Sequence, residues 1–530
     1  MSGQPAPTGG GPGAGQEGRP SGPPPGPAFS ARLAAGLLGI FIAAMLAGLN
    51  NRVGSLALAD VRGARGFGFD DGSWLGSAYA AGEVVAMPFA TWFAVTLSLR
   101  RFHIMMLGTV LVLAAVMPLV QSLPLMVTLR ALQGVASGAL IPMLMMAALR
   151  FLPLSIRLHG LALYSMTATL APNLAIWLAG QWIDQLFDWR LIYWHVIPIG
   201  LLAMALVAWG IPAMPAAPAR FRTGNWFGMP FGIAGLALLV IGLDQGGRLD
   251  WFNSPLICWA LASGLGATAL YLVSEWFHPA PFIKLQLLKR RNLAIGFTVF
   301  TCLLVVLLSG SALPAGYLGA VQGYRPLQTA PIGLMVGLPQ LLLAPMVALL
   351  LYRRWIDARL TLSAGLALIA LACLLGSRLE ESWIWREFVW AQALECVGQP
   401  LAVISMLFLC TSVVQPMEGP YVAGIINTLR ALGTVLGSAL VGELVTQRGR
   451  FHGEMLLDTA AQATASPVVT GDPAQLAGIV HHQGFILATA DAYRLLGAAA
   501  LALIPLALAM QFIPAPVVPP APSRSPASHG

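Results

Sequence analysis

The sequence predicts an all-α membrane protein that crosses the bilayer fourteen times. Of its 530 residues, 57% are hydrophobic and only 9% are charged, whereas soluble domains carry about 25% charged residues. Fourteen separate apolar stretches are long enough to cross a bilayer, since one helical crossing takes about 20 residues. The composition excludes a soluble enzyme, a nucleic-acid-binding domain and a disordered scaffold, because a water-soluble fold cannot bury this much apolar surface.

The predicted spans divide the chain into three folded regions and two tails. We expect an N-terminal six-helix bundle at 32–211, two accessory transmembrane helices with their linkers at 212–291, and a C-terminal six-helix bundle at 292–512. Residues 1–31 and 513–530 are expected to be disordered tails, because they are rich in Pro and poor in large apolar side chains. The spans themselves are predicted at 32–50, 74–96, 104–122, 125–149, 159–181, 190–211, 227–244, 255–276, 292–313, 327–351, 361–378, 387–411, 420–443 and 485–512.

Basic residues between the spans predict the orientation in the membrane. Loops that follow even-numbered spans hold Arg100 and Arg101, Lys284 to Arg291, and Arg353 and Arg354. Because cytoplasmic loops are enriched in Lys and Arg, both tails are predicted to be cytoplasmic. The polar stretch 444–484 then becomes a long periplasmic loop. Its adjacent His481 and His482 have no third ligand nearby, so we expect no metal site.

Three of the ionisable residues inside predicted spans qualify as candidates for chemistry at membrane depth. They are Glu83 in GSAYAAGEVVAMP, Arg130 in VTLRALQGVASGALIP and Glu395 in VWAQALECVGQPLAV. An ionisable group at membrane depth is costly and is a functional candidate by default, and a buried carboxyl group can hold and release a proton near neutral pH. We therefore expect these three to serve proton coupling. The alternatives are a structural carboxyl group bonded across helices for Glu83, and a snorkelling side chain for Arg130.

Other polar, soft or small side chains in the spans complete the candidate site. Polar groups indicate the wall of a cavity, and Met or aromatic side chains give it adaptable apolar contacts. The predicted cavity residues are Asn50, Gln133, Tyr164, Met166, Trp177, Gln392 and Arg430. Small residues at GxxxG spacing allow close helix packing, and the residues predicted to serve packing or gating are Gly134, Gly138, Pro172, Gly180, Gly433 and Gly437.

Motifs of soluble catalysis and of ATP hydrolysis are missing from the sequence. It contains no GxSxG, HExxH or GxxxxGK[ST] pattern. We therefore expect neither an enzyme nor a cofactor, and a secondary transporter driven by an ion gradient is the simplest remaining class. A membrane-embedded enzyme would need paired catalytic groups at membrane depth, and a sensor would need a soluble signalling domain; neither is recognisable.

Several segments, in their order along the chain, resemble the major facilitator superfamily, and more closely its 14-helix drug/proton antiporters of the EmrB/QacA type. The segment RALQGVASGALIP resembles the fourth-helix motif, with Arg130, Gln133 and Gly134 in place. The segment ALYSMTATLAPNLAIWLAGQWI resembles the fifth-helix antiporter motif and keeps Pro172 and Gly180. Further similar segments are DWRLIYWHVIPIG, LDQGGRLDWFNSP, PFIKLQLLKRRNLAIGF and NTLRALGTVLGSAL. The resemblance covers about 32–512 and implies the major facilitator fold.

The resemblance also implies a function, with one departure at the site. It implies proton-coupled export of hydrophobic or amphipathic compounds across the bacterial inner membrane by alternating access, with an HlyD-type periplasmic adaptor and an outer-membrane channel as partners. Asn50 stands where such relatives have an acidic residue in the first helix, so Glu83 is expected to carry the proton instead. The alternative is a proton-coupled or uniport transporter of a small organic anion, with Arg130 as the substrate ligand.

Overall fold

The computed structural model describes residues 29–463 and 473–516, and the described residues contain helices but no strand. Thirteen helices are long and apolar enough to cross a membrane, and a bent helix pair brings the number to fourteen. Most of both predicted tails and residues 464–472 of the predicted loop lie outside the described residues. The predicted all-α fold with fourteen spans is therefore confirmed.

The fourteen spans, numbered 1 to 14 along the chain, agree with the predicted stretches to within a few residues at most ends. Their bounds are Ala31–Leu56, Phe69–Leu97, Leu99–Leu119, Leu123–Phe151, the pair Arg157–Thr169 and Ala171–Gln185, Leu191–Gly210, Gly228–Gly246, Pro255–Phe277, Arg291–Val321, Pro326–Leu351, Ala358–Gly376, Val389–Thr411, Gly419–Thr459 and Ala474–Leu508.

Local chemistry explains where several spans begin or bend. Span 1 starts at Ser30, whose side chain accepts a hydrogen bond from the amide of Leu33 as an N-cap. Span 2 carries Asp70 and Asp71 in its first turn, where negative charge is favourable to the helix dipole. Span 5 bends by 45° between its two helices, because Pro172 has no amide hydrogen to continue the hydrogen-bond ladder.

Spans 1–6 and spans 9–14 form two bundles that contact each other directly. Within the bundles, span 2 packs on span 4, and span 11 packs on span 12. Between the bundles, span 13 packs on span 2, and span 10 packs on span 5. The accessory spans 7 and 8 pack on each other, and span 7 also contacts spans 2 and 13. Spans 2, 5, 10 and 13 therefore form the seam between the bundles.

The polar stretch 444–484 differs from the expected loop, because most of its described residues are helical. The helix of span 13 runs on to Ala463, and the helix of span 14 already begins at Pro473. Its 45 residues give the first helix a length of roughly 68 Å, against about 30 Å of bilayer hydrocarbon. Glycines and ion pairs hold the two extensions together: a Cβ on Gly484 would lie 3.0 Å from the Gly449 oxygen, and Asp491 bonds Arg448 at 2.7 Å and His452 at 2.8 Å.

Candidate functional site

Close contact between spans 2 and 4 sets the position of Glu83. A Cβ on Gly138 would lie 2.7 Å from the Cα of Glu83, and one on Gly134 would overlap the backbone of Tyr79. On the other side of the contact, a Cβ on Gly82 would overlap the backbone of Ala131. Only glycine fits at these three positions, so the two helices pack backbone to backbone around Glu83.

The carboxyl group of Glu83 is buried inside the protein and does not face lipid. The side chain keeps 9% of its surface exposed and accepts a hydrogen bond of 2.7 Å from Nδ2 of Asn51 in span 1. Its charge also interacts with Arg430 of span 13 and with Arg130 of span 4. Glu83 therefore lies among groups from both bundles.

Arg130 is held in place mainly by neutral groups. Its guanidinium donates a hydrogen bond of 2.9 Å to Gln133 and lies 4.3 Å from the ring centroid of Tyr79 and 5.8 Å from that of Tyr193. Asn50 donates to the hydroxyl of Tyr79 at 3.3 Å. Among the described residues, Arg130 has no acidic group within 4.0 Å, and its Nε has no hydrogen-bond partner.

Two hydrogen bonds join the bundles beside Glu83. The hydroxyl of Tyr164 in span 5 donates to Asn427 in span 13 at 3.0 Å, and Arg430 donates to Thr167 at 2.7 Å. All four side chains are buried. We call the group formed by Asn51, Glu83, Arg130, Tyr164 and Arg430 the central cluster.

A second buried carboxyl group lies wholly within the C-terminal bundle. Glu395 in span 12 accepts hydrogen bonds from Ser309 at 2.6 Å and from Gln399 at 3.1 Å. Ser309 belongs to a 3-10 turn, Leu307–Gly310, that interrupts span 9. Among the described residues, no basic side chain pairs with Glu395. Its environment therefore differs from that of Glu83, which interacts with two guanidinium groups.

Several other predicted site residues lie outside these two groups. Trp177 is 37% exposed, so the structure does not bring it into the buried site. Met166 is buried, and so is Gln392, whose Oε1 has no hydrogen-bond partner. The glycines contact spans across their helices: Gly180 lies against the backbone of Leu327 in span 10, and Gly433 and Gly437 face span 9.

The bundles touch at both ends of the spans. Fourteen crossings bring the two chain ends to one side of the molecule, which we call the terminal side; the other is the opposite side. On the opposite side, Arg325 of the C-terminal bundle donates to Asp184 at 2.5 Å and to Asp60 at 3.3 Å. The hydrogen bond with Asp184 raises the pKa of Arg325 above its ordinary value. Asp184 also accepts a bond of 2.9 Å from the Leu327 amide.

On the terminal side, Tyr352 of the C-terminal bundle makes the corresponding contact with the N-terminal bundle, whereas the ion pair of Glu418 lies within the C-terminal half of the chain. The hydroxyl of Tyr352, which follows span 10, donates to the Leu154 oxygen and accepts from the Leu158 amide, each at 3.1 Å. Glu418 pairs with Arg290 at 2.7 Å. Burial by itself raises the pKa of Glu418, but the hydrogen bonds from Arg290 outweigh it and lower that pKa below its ordinary value. Hydrogen bonds between the bundles therefore lie on both sides of the central cluster.

Sequence reasoning missed the neutral partners of the charged groups. Asn51 contacts Glu83 directly, Asn427 bonds Tyr164, and Ser309 bonds Glu395. A weak signal existed for two of them. Asn51 extends the polar pair at 50–51 in span 1, and Asn427 precedes Arg430 by three residues, which places both on one helix face.

A metal centre has no support in the described residues, where no group of three His, Cys, Asp or Glu side chains is arranged to hold an ion. His482 lies 3.7 Å from Glu381, so it belongs to a surface contact on the helical extension.

Comparison with known proteins fits this architecture. The family model described as Major Facilitator Superfamily matches residues 40–438. The chain is 26% identical to fatty acid resistance protein FarB of Neisseria gonorrhoeae, over 88% of this chain and 94% of FarB. It is 22% identical to multidrug export protein EmrB of Escherichia coli, over 82% of this chain and 84% of EmrB.

Among solved structures, the human organic anion transporter MFSD10 (TETRAN) has the same fold, with a TM-score of 0.56 and 14% identity. The match covers 90% of this chain and 100% of that one. With two bundles, a seam of four spans and a family model over most of its length, the chain belongs to the Major Facilitator Superfamily and is similar there to the EmrB-type multidrug exporters.

Proposed function

We propose that this protein is a proton-coupled exporter of hydrophobic or amphipathic compounds in the bacterial inner membrane, with both chain ends in the cytoplasm. The observation that carries the proposal is the position of Glu83, a buried carboxyl group with charged neighbours from both bundles. A buried ionisable group in a membrane protein costs free energy and is rarely kept without a role. The names of FarB and EmrB, which refer to resistance and export, support the same function.

Coupling follows from the two bundles contributing different charges to one site. Positive charge favours the ionised carboxylate, whereas loss of contact with water favours the protonated form. Arg430 belongs to the second bundle and Glu83 to the first, so rocking of the bundles changes the distance between them. Alternating access would then change how tightly Glu83 holds its proton, and a substrate that binds at the carboxylate would exchange with that proton.

Glu395 is the second proton site of this proposal. Its carboxylate has only neutral hydrogen-bond donors, Ser309 and Gln399, so its protonation depends on burial more than on nearby charge. The cavity residues Asn50, Gln133, Tyr164, Met166, Gln392 and Arg430 would contact substrate between the two carboxyl groups. An HlyD-type adaptor and an outer-membrane channel would complete the export path, and similarity to EmrB is the support for them.

Transport in proteoliposomes with an imposed pH gradient tests the proposal. We expect wild-type protein to move a lipophilic fluorescent cation against its gradient. Glu83→Gln should lose this accumulation while still exchanging substrate across the membrane without a gradient. Glu443→Gln is the matched control, because Glu443 lies outside the central cluster and bonds the Trp251 indole at 2.5 Å. Gradient-driven accumulation by Glu83→Gln at the wild-type rate would remove the proposed role.

A second candidate function is transport of a small organic anion. The central cluster contains two buried guanidinium groups, Arg130 and Arg430, and a single carboxyl group, so it has an excess positive charge that an anionic headgroup would neutralise. Arg130 would be the main ligand, because none of its described neighbours within 4.0 Å is acidic. Inverted vesicles supplied with either lipophilic cations or amphipathic organic acids distinguish the two functions by which compounds are moved.

A further inference from the structure

The accessory spans 7 and 8 enclose an apolar groove on the terminal side that belongs to neither carboxyl site. Its volume is about 380 Å³. The start of span 7, the end of span 8 and the turn that follows line it, and the lining residues include Phe227, Phe231, Leu270, Ser274 and Phe277. The groove lies at the level where hydrocarbon meets lipid headgroups, because it spans the last turns of two membrane helices.

The floor of the groove is fixed by a buried polar network. Asn225 donates to the Ser274 hydroxyl and to a Glu275 oxygen, each at 2.8 Å, and it accepts a bond from the Gly228 amide at 3.0 Å. The second oxygen of Glu275 accepts from the Ile283 amide at 2.9 Å. Both carboxylate oxygens of Glu275 are therefore occupied inside the protein. An occupant of the groove would therefore contact mainly aliphatic and aromatic side chains.

The rim of the groove opens outward, toward the surroundings of the spans. Phe227 is 75% exposed and Phe277 is 80% exposed, and the rings of Phe227 and Phe231 lie 5.4 Å apart. A preformed apolar groove that opens into a bilayer meets acyl chains before any other ligand. Burying an acyl chain there also covers aromatic surface at the interface.

Positively charged side chains next to the groove favour a lipid with an acidic headgroup. The two linkers that border it, 211–227 and 278–291, contain six Arg or Lys residues and no Asp or Glu. Lys284 and Arg290 pair with Glu418. Lys289 lies over the ring of Trp276, 5.7 Å from its centroid, and Trp276 directly precedes Phe277 of the rim. Among the described residues, Lys289 and Arg222 form no ion pair, so both are free for a phosphate group.

We propose that this groove is a binding site for an anionic phospholipid, with one acyl chain along the apolar floor and the phosphate at Lys289 and Arg222. Cationic side chains beside an apolar groove at a membrane surface recognise lipids with acidic headgroups. The site is independent of the central cluster, so it does not rest on the proposed transport function. It would anchor the accessory spans, which contact both bundles through span 7, in a defined lipid environment.

Native mass spectrometry of the full chain tests the site, with phosphatidylglycerol and phosphatidylcholine of identical acyl chains as probes. We expect one phosphatidylglycerol to be retained where phosphatidylcholine is lost. Leu270→Trp, which fills the groove, should abolish this retention, and Lys289→Gln should weaken it about fivefold, since one cation near the membrane surface contributes about that much.

Two matched variants serve as controls. Leu265→Trp places the same ring on an exposed part of span 8 outside the groove, and Arg353→Gln removes a terminal-side cation from another loop. Both should retain phosphatidylglycerol as the wild type does. Equal retention of the two lipids by the wild type, or undiminished phosphatidylglycerol retention by Leu270→Trp, would overturn the proposal.

Discussion

In the proposed proton exchange at Glu83, Asn51 is the neutral residue expected to have the most direct effect. Its Nδ2 group donates to the Glu83 carboxylate at 2.7 Å, and such a bond favours the ionised form. Removing the donor leaves the proton more tightly bound, so a higher pH is needed to release it. A hydrogen bond to a charged group contributes about 1.5–3 kcal/mol.

We therefore expect Asn51→Ala to move the pH profile of transport upward by about one to two units. The measurement is the initial transport rate in proteoliposomes across a series of equal internal and external pH values. Asn253→Ala is the matched control, because Asn253 donates to the carboxylate of Asp250 at 2.8 Å in an exposed loop outside the central cluster. A profile that stays at the wild-type pH in Asn51→Ala would show that this hydrogen bond does not govern the proton.

At the residue scale, the sequence identifies the charged groups of the candidate site but not the neutral side chains that form hydrogen bonds with them. Glu83, Arg130 and Arg430 are conspicuous because ionisable residues are rare in apolar runs. Asn427 and Ser309 are not, since neutral polar residues are common in membrane helices and find partners only through tertiary packing. Trp177 was predicted to line the cavity, but its ring is partly exposed. The resemblance of its segment to a family motif does not determine which way the ring points.

At the scale of elements, the contact between spans 5 and 10 is expected to hold the opposite side closed. Arg325 pairs there with Asp184 and Asp60, and these ion pairs join the two bundles. Each exposed pair contributes up to about 1 kcal/mol. Together they bias the equilibrium toward the closed arrangement by roughly tenfold.

Arg325→Gln should therefore increase access from the opposite side by roughly tenfold. The reporter is a cysteine in place of Ile183, which is 4% exposed and lines the mouth beside Asp184. The rate at which a membrane-impermeant thiol reagent labels this cysteine is compared between proteins with Arg325 and with Arg325→Gln. In both proteins Cys258 and Cys302 are replaced by serine. Arg353→Gln on the terminal side should leave the rate unchanged, and an unchanged rate in Arg325→Gln would count against a closing role for these pairs.

Elements were predictable where hydrophobicity alone defines them. The spans follow from the length of their apolar stretches, and the bend of span 5 follows from Pro172. The extension of spans 13 and 14 was not predictable in this way. Polar residues 444–463 have the composition of a loop, and their helical state depends on pairing with the neighbouring helix through Gly449, Gly484 and Asp491.

At the scale of the whole molecule, the bundles meet at both ends and enclose the central cluster between them. Glu83 keeps 9% of its surface exposed within this seam, and Arg430 of the other bundle donates to Thr167 nearby at 2.7 Å. Because each bundle supplies part of the charge, the proposed mechanism links the protonation of Glu83 to the position of the bundles. This linkage predicts the direction in which protons move when substrate binds. In an exporter driven by proton entry, substrate and proton must exclude each other.

The most direct test measures proton movement when substrate binds to the purified protein in weakly buffered detergent solution containing a pH indicator. If substrate and proton share Glu83, a lipophilic cation should release about one proton per bound substrate, because both compete for one carboxylate, and Glu83→Gln should release none. Proton uptake on binding, or release that persists in Glu83→Gln, would contradict this prediction.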